Sequence, residues 1–570
     1  MQKEFRNILN IIIAYAVALL IFTVVRVYFL GVMVPGNGTN SDLNLTVAFL
    51  YGFVYDAEFV FGVNGIIILL FFLPVKLRNT IFWQFIVRAL FAVLNSFLIL
   101  IYILDAKYYH LMNEHIRLFN LSDESIFKQF VHSVQRLEFQ FNNSWDILLL
   151  SLVVFIGLWY VFPSINKMFF ERSKANLYAR YAASLLGVLL FLNILIRLND
   201  NSGSWQTRVF KRMDKPTAIL AINSPYAISK FYLSEQLAEE KYFDRNDLGT
   251  MFPVEKEYLG KTANKRNLFL FNISLNRTEW NKIKPEFDEL GVISFISDNF
   301  SCTEKSNPMQ MDELLLSVPG FNKVGLMRTN YAFNHFQTLA NILKRYNYHS
   351  VMATNMPDIK YLKSGLHFYG FDKLVSDKEP SKLFAKLNKE LNLLPENFFF
   401  VFFQMESGVG NLVDFVKQND LLDKSLIVIN LSFNNEGSDI NYGKTIFLIP
   451  DEEKEIFIAD KVQNTDILPS VIDYLNLDKK FISFGQSVFY QRGKHSIFQY
   501  TGKDYIILED SLLLRYNGKS TKWLVDYKHD PDEFFDLQDS LPVQKVQMEN
   551  KIRAIIQQYN NKLINNEMTP

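Results

Sequence analysis

The sequence predicts two architectures in one chain: a bundle of five transmembrane helices, followed by a layered α/β domain with helices on both faces of a sheet. Three observations predict it. Five nearly uncharged runs lie before residue 200, and short apolar stretches alternate with amphipathic ones after about Lys265. The 570 residues are also 49% hydrophobic and include 53 Phe, more than a chain that is globular throughout would carry.

The five runs are Asn7 to Val25, Phe59 to Val75, Ala89 to Leu104, Ile147 to Asn166 and Tyr181 to Ile196. Each approaches the roughly 20 apolar residues needed to cross a hydrocarbon core about 30 Å thick. The first reads as an uncleaved anchor, because Gly31 to Gly36 has no small-x-small cleavage site and further spans follow. Lys3 and Arg6 precede the first span, Lys76 and Arg78 follow the second, and Lys167, Arg172, Lys174 and Arg180 separate the fourth from the fifth. The loop Pro35 to Thr46 has no basic residue. This bias predicts a bacterial cytoplasmic (inner) membrane protein, multi-pass, with its N-terminus inside and everything after Arg197 outside.

Asp56 and Glu58 fall at the outer mouth of the second span and Arg26 near the outer end of the first; such groups are either functional or paired with one another. Between the third and fourth spans, Ile126 to Phe141 interleaves aromatics with charges, as a helix lying on the outer leaflet or beneath the soluble domain would. The expected domains are 1–200 (membrane), 201–264 (an extracytoplasmic amphipathic linker), 265–495 (the α/β domain) and 496–570 (small strands and a terminal helix).

In the α/β domain, strands are expected at Asn267 to Ser274, Gly291 to Asp298, Ser350 to Asn355, Asn397 to Gln404, Ser425 to Ser432 and Lys444 to Pro450. Helices are expected at Asp312 to Ser317, Phe336 to Tyr346, Ser381 to Leu394, Asn411 to Gln418 and Thr465 to Leu475. Alternation of this kind implies a layered sheet, and ligands of such folds bind beyond the carboxyl ends of the strands. The balance of 59 basic against 59 acidic residues gives no general attraction to nucleic acid. Cys302 is the single cysteine, so neither an intrachain disulfide nor a thiol-built zinc site is available.

Several stretches then carry a resemblance: "LYGFVYDAEF" at the second span, "GSWQTRVF" after the fifth, "LHFYGFDKLVSD", "VQNTDILPSVIDYLNL" followed by "FGQSVF", and "YKHDPDEFFDL" near the end. In their order and spacing they resemble the lipoteichoic acid synthase family, within the alkaline phosphatase and sulfatase superfamily. The resemblance implies an α/β/α sandwich of that superfamily's type behind the five-helix bundle. It also implies a divalent metal (Mn, Mg or Zn) that holds an activated Thr and stabilises charge on a phosphoryl group.

Carried over residue by residue, the implied metal and nucleophile positions are degenerate. The Glu ligand at the end of the first strand corresponds to Ser274, and the nucleophile to Asn307, counted back from "LLSVP" (Leu315 to Pro319). The Asp-His pair ending the last catalytic strand corresponds to Ser432 and Phe433, followed by Asn434; the family's His-x-Pro segment is deleted. Thr303, Ser306 and Asp466 are the candidate substitutes. Cys302 lacks the Pro and Arg of the sulfatase nucleophile motif and reads as a small buried residue. Glu406 reads as a general base or a helix-capping acid, and Gly408 and Gly410 as a phosphate loop without its lysine. His335, His349 and His367 have no carboxylate at ligand spacing.

The expectation is therefore a catalytically inactive scaffold, with no cofactor, that binds or organises envelope components; its partners are membrane lipids or another envelope protein, and not nucleic acid. The competing reading is an active phosphoglycerol or phosphoethanolamine transferase, or a related phosphoester or sulfoester hydrolase, acting on lipid head groups with a divalent metal and a site rearranged around Thr303, Ser306 and Asp466. In a third reading the membrane spans are the functional half.

Overall fold

The computed structural model describes residues 2–33, 43–73, 80–112, 115–116, 145–162, 174–198, 204–233, 237–261, 263–275, 277–288, 294–300, 307–322, 324–356, 359–393, 398–405, 409–433, 442–450, 461–489, 495–530 and 533–570. The chain divides into two compact units: one of residues 1–205 and 212–236, the other of residues 206–211 and 237–570.

In the first unit the helices are α1 (Gln2–Met33), α2 (Leu45–Val63), α3 (Gly65–Phe72), α4 (Ile81–Met112), α5 (Trp145–Val161) and α6 (Lys174–Leu198). Among the described residues, four stretches are long and apolar enough to cross a membrane: Ile11–Met33, Leu45–Val63, Ile81–His110 and Arg180–Arg197. The expected fourth span, Ile147 to Asn166, overlaps helix Trp145–Val161, and its part beyond residue 162 lies outside the described residues. The expected second span, Phe59 to Val75, is corrected. Helix α2 starts at Leu45 and ends at Val63, and the backbone breaks at Asn64 before α3.

Two local causes account for that shift. The Asn64 side chain donates 2.8 Å to the Val60 carbonyl and exchanges amide hydrogen bonds with Asn95, at 3.0 and 2.8 Å. Such bonding competes with the helix ladder. Asp56, which made the run before Phe59 look too polar to span, is buried and neutralised: Arg26 Nη1 and Nη2 donate to its two carboxylate oxygens at 2.7 and 2.8 Å. The remaining donors of Arg26 reach the carbonyls of Leu220 and Ala221 at 3.1 Å each. They saturate carbonyls at the end of helix Lys215–Ala221, which would otherwise be orphans. Gly52 lies one turn before Asp56, and a Cβ there would stand 2.5 Å from the Arg26 guanidinium carbon. Glu58 pairs with Arg197. The paired reading of Arg26, Asp56 and Glu58 is the one that holds. Helices Lys215–Ala221 and Ser224–Leu233 pack within this unit, with residues 217–228 buried throughout.

The second unit has fourteen described strands: β1 (Glu255–Tyr258), β2 (Asn267–Leu275), β3 (Ser294–Phe300), β4 (Tyr348–Thr354), β5 (Lys373–Ser376), β6 (Phe398–Met405), β7 (Ser425–Phe433), β8 (Tyr442–Leu448), β9 (Lys461–Gln463), β10 (Lys479–Ile482), β11 (Ile497–Tyr500), β12 (Tyr505–Glu509), β13 (Leu512–Tyr516) and β14 (Thr521–Asp526). Eight form one sheet in the order β5-β4-β6-β2-β7-β8-β3-β9. Every neighbouring pair is parallel except those that β8 makes with β7 and β3. Only residues 434–441 join β7 to β8, too few for a crossover, which needs about a dozen or more, so β8 returns antiparallel.

Strand residues alternate between faces. Phe269, Phe271 and Ile273 of β2, Val401, Phe403 and Met405 of β6, and Ile427, Ile429 and Leu431 of β7 lie in one apolar cluster with residues of helices Pro380–Leu393 and Val409–Gln418. All six strands expected from sequence are present, with ends displaced by up to three residues; β5, β9, β10 and β1 are additional. Strands β11 to β14 form a separate antiparallel sheet, against which helix Pro542–Ile564 packs.

Candidate functional site

At the carboxyl half of the central strands, the face opposite the apolar cluster carries a row of polar residues in register. Thr354 of β4 pairs with Gln404 of β6, Gln404 with Asn272 of β2, Asn272 with Asn430 of β7, Asn430 with Thr445 of β8, and Thr445 with Ser297 of β3. All six are buried. Burial of this kind is tolerated where the groups find partners, and most do, although Gln404 Nε2 has none among the described residues. Asn272 Nδ2 donates 2.9 Å to Gln404 Oε1, and Asn430 Nδ2 donates 2.8 Å to Asn272 Oδ1. Thr445 Oγ1 donates 3.2 Å to Asn430 Oδ1, which Asn299 Nδ2 also approaches. Asn299 Nδ2 continues to Asn464 Oδ1 at 2.8 Å, and Asn464 Nδ2 to Glu313 Oε2 at 2.7 Å.

Ser274 and Ser432 lie one pleat further along, in register with each other and partly exposed. Between strands and helix Asn307–Leu316 stands Gln310, which is buried. Its Oε1 accepts from Asn272 Nδ2 at 3.3 Å and its Nε2 donates to Ser432 Oγ at 3.1 Å. Phe433 does not join them: being the next strand residue it faces the other side, in the apolar cluster, 6.5 Å from the Trp280 ring and 6.0 Å from Tyr442. Thus Ser274 and Ser432 come together, and Phe433 leaves the pair. Asn307 is the first residue of its helix. Cys302, Thr303, Ser306, Glu406, Gly408 and Asn434 lie outside the described residues, and Gly410 is in helix Val409–Gln418.

Asp466 is fully buried, and its carboxylate is engaged on every side. Oδ2 accepts from the Gln463 backbone N–H at 2.8 Å and meets His495 Nε2 at 2.8 Å; Oδ1 accepts from the Gln486 N–H at 2.9 Å. It completes a capping box on the turn Asn464–Asp466, ahead of helix Ile467–Tyr474. The neighbouring "FGQSVF" stretch serves the same junction. A Cβ on Gly485 would stand 2.1 Å from the Thr465 carbonyl oxygen, and the Val488 N–H donates 3.0 Å to Ser470 Oγ. The stretches that match the family pattern best thus act here as a clasp between a helix and the chain that follows it.

Asp312 lies on helix Asn307–Leu316 and is buried; one oxygen accepts from the Leu326 N–H at 2.7 Å and the other meets Tyr369 Oη at 2.8 Å. Burial pushes its carboxyl up to about 7, and the two hydrogen bonds oppose that rise. Tyr369 contacts Tyr361, and burial holds both phenols well above their ordinary range.

The histidine reading needs one correction. His349 has carboxylate partners: Nδ1 lies 3.7 Å from Asp372 and Nε2 3.7 Å from Glu390, on opposite sides of its ring. Asp372 and Glu390 are 23 and 41 residues away in sequence, beyond any spacing rule. His335 is held through its backbone by Asn566 and His367 Nδ1 lies 2.6 Å from the Phe210 carbonyl. The His495–Asp466 pair was hidden in the same way. The amide row had a signal that sequence reasoning passed over: Asn272, Gln404, Asn430 and Thr445 each interrupt an apolar strand.

A dication of the kind that the resemblance implies requires several carboxylate or imidazole donors converging on one point. Ser274, Ser432, Asn272, Asn430 and Gln310 are neutral, and their amides are bonded to one another. Among the described residues, no three or more His, Cys, Asp or Glu side chains are grouped so as to hold a metal ion. These residues do not fit the metal.

The second unit holds a mostly parallel α/β sheet, in a chain whose N-terminal region consists of apolar helices. Solved structures are similar to this chain over about half of its length. One is an alkaline phosphatase superfamily protein from Vibrio parahaemolyticus, 14% identical, covering 57% of this chain and 93% of that one, TM-score 0.46. Another is the lipoteichoic acid synthase LtaP from Listeria monocytogenes, 14% identical, covering 56% and 98%, TM-score 0.43. A third is a phosphonate monoester hydrolase from Agrobacterium radiobacter, 10% identical, covering 52% and 96%, TM-score 0.36. No family model and no curated protein matches the chain. At these identities and scores, no activity passes from those proteins to this one.

Proposed function

We propose that this chain is a membrane-anchored, sulfatase-like scaffold whose strand-end site no longer carries out metal-dependent phosphoryl or sulfuryl transfer, and whose soluble unit binds a component of the bacterial cell envelope. The observation that carries this reading is the Gln310 bridge. Where the resemblance implies ligands around a dication, a neutral amide joins Asn272 of β2 to Ser432 of β7. Ser432 Oγ is held by the Gln310 amide, and an amide, unlike a cation or a base, does not lower the pKa of a hydroxyl at neutral pH. The chain is placed in a bacterial cytoplasmic membrane with the second unit outside, from the distribution of Lys and Arg among the short loops. Its partners are lipid head groups or another envelope protein, and no cofactor is required.

Metal analysis of the purified full chain, paired with a head-group transfer assay, tests the reading. The expected result is no stoichiometric Mn, Mg or Zn and no turnover on glycerophosphate- or phosphoethanolamine-bearing lipids. Turnover that EDTA abolishes and that Thr303→Ala removes would overturn it in favour of the transferase.

A further inference from the structure

The apolar side chains that the second unit exposes are concentrated on one edge. Trp523, Phe534, Phe535, Val543 and Val546 are 37, 74, 71, 63 and 55% exposed, and all lie within β14, the turn that follows it and the first two turns of helix Pro542–Ile564. Hydrogen bonds tie these pieces together. Trp523 Nε1 donates 3.1 Å to the Glu533 carbonyl, the Leu537 N–H donates 2.7 Å to the Leu524 carbonyl, and Thr521 Oγ1 donates 2.5 Å to Glu549.

The turn bearing the two phenylalanines is fixed. Asp530 accepts from the Phe534 N–H at 3.1 Å and from the Phe535 N–H at 2.8 Å; Glu533 pairs with Arg515 at 2.5 Å; Asp536 accepts from the Leu524 N–H at 3.2 Å. Asp530, Glu533 and Asp536 are therefore turned to the backbone or to Arg515, and the two benzyl groups stand exposed beside them. An exposed, rigidly held aromatic pair is costly in water and marks a contact surface.

We infer that this edge inserts shallowly into a lipid bilayer, with Phe534 and Phe535 entering the acyl boundary and Trp523 at the head-group level. Three observations favour a bilayer over a protein. The chain carries its own spanning-length apolar helices, so a bilayer is always within tether reach. Adjacent side chains more than 70% exposed project from the turn, whereas a protein-docking patch would be flatter. Trp beside Phe is the composition of interfacial anchors.

The inference rests on membrane anchorage and is independent of whether the strand-end site is active. The test uses the full chain, carrying Cys302→Ser, reconstituted in phosphatidylethanolamine and phosphatidylglycerol vesicles, with an environment-sensitive fluorophore on Phe535→Cys or, as a control, on the exposed Leu393→Cys. Acyl-chain nitroxide lipids are expected to remove most of the emission at 535 and little at 393. Equal, weak quenching at both positions overturns the inference, as does crosslinking of 535 to a second copy or to another protein with no lipid quenching. Carbonate extraction of the same vesicles separates the two failures: a chain that washes off refutes anchorage, whereas a retained chain with 535 unquenched refutes only the insertion of this edge.

Discussion

One buried polar site in each unit shows two ways of enclosing such groups. The first encloses a full ion pair, Arg26 with Asp56, in which both carboxylate oxygens and two backbone carbonyls accept from one guanidinium. The second encloses a row of neutral amides, Gln404, Asn272, Asn430 and Asn299, at the carboxyl half of the central strands. A buried charge is expensive unless every partner is present, so its retention in the first unit points to an architectural task that amides cannot perform: ending helix Lys215–Ala221 while filling the notch left by Gly52. In the sheet, amides suffice to join strands. There, charge enters at the end of the row, where Asn464 donates to the buried Glu313.

The sharpest way to break the comparison is at Asp56. Asp56→Ala leaves Arg26 buried without its counter-ion and should cost about 3–5 kcal/mol, seen as a large fall in thermal midpoint or as loss of monodisperse protein in detergent. Arg26→Met combined with Asp56→Leu should recover part of that loss and no more, because the Leu220 and Ala221 carbonyls remain without donors, at about 1–3 kcal/mol each. Full recovery would mean that the pair has no role in ending the helix.

A second test uses pH. Because burial raises the Asp312 carboxyl to about 7 in the folded protein, the folded state holds this proton more tightly than the unfolded state does. Its stabilising contribution is therefore complete below about pH 4 and is lost as pH rises to about 7. A displacement of roughly three units sets the limit at on the order of 4 kcal/mol. Asp312→Asn can keep both contacts, its carbonyl accepting from the Leu326 N–H and its amide donating to Tyr369 Oη. Melting curves between pH 5 and pH 8 should therefore fall for the wild type and stay flat for the variant. Parallel curves would remove Asp312 as the cause.

These cases show why some features were legible in the sequence. "NLFLFNIS", "NFFFVFFQ" and "SLIVINLS" are continuous apolar runs, and a strand buried on both faces cannot be written otherwise, so β2, β6 and β7 could be placed closely. The serines at 274 and 432 followed from counting along those runs. Counting carries no face: in a strand that continues through 433, neighbouring residues part company, so Phe433 turns away from Ser432. The long-range pairs, His495 with Asp466 and His349 with Asp372 and Glu390, depend on turns and crossovers that bring distant segments together. The break at Asn64 was hidden because hydropathy sees a single run, whereas the helix responds to an amide that bonds its own preceding turn and Asn95.

The smallest effects decide whether burial, and not residue type, sets the scale. Asn430→Ala removes one amide that serves Asn272, Thr445 and Asn299 together; leaving those groups buried without it should cost about 1–3 kcal/mol by denaturant titration, with no gain or loss of bound metal. Arg245 with Glu567 has the same charged groups as Arg26 with Asp56 and an N–O distance of 3.2 Å, but Arg245 is 84% exposed. Water screens that pair and both long side chains lose entropy in forming it, so Arg245→Ala should shift stability by about 0–1 kcal/mol and less at high salt. If this exposed pair proved as costly to break as Arg26 with Asp56, solvent would not be what separates them. The contrast between a charged membrane unit and a neutral sheet would then lose its physical basis.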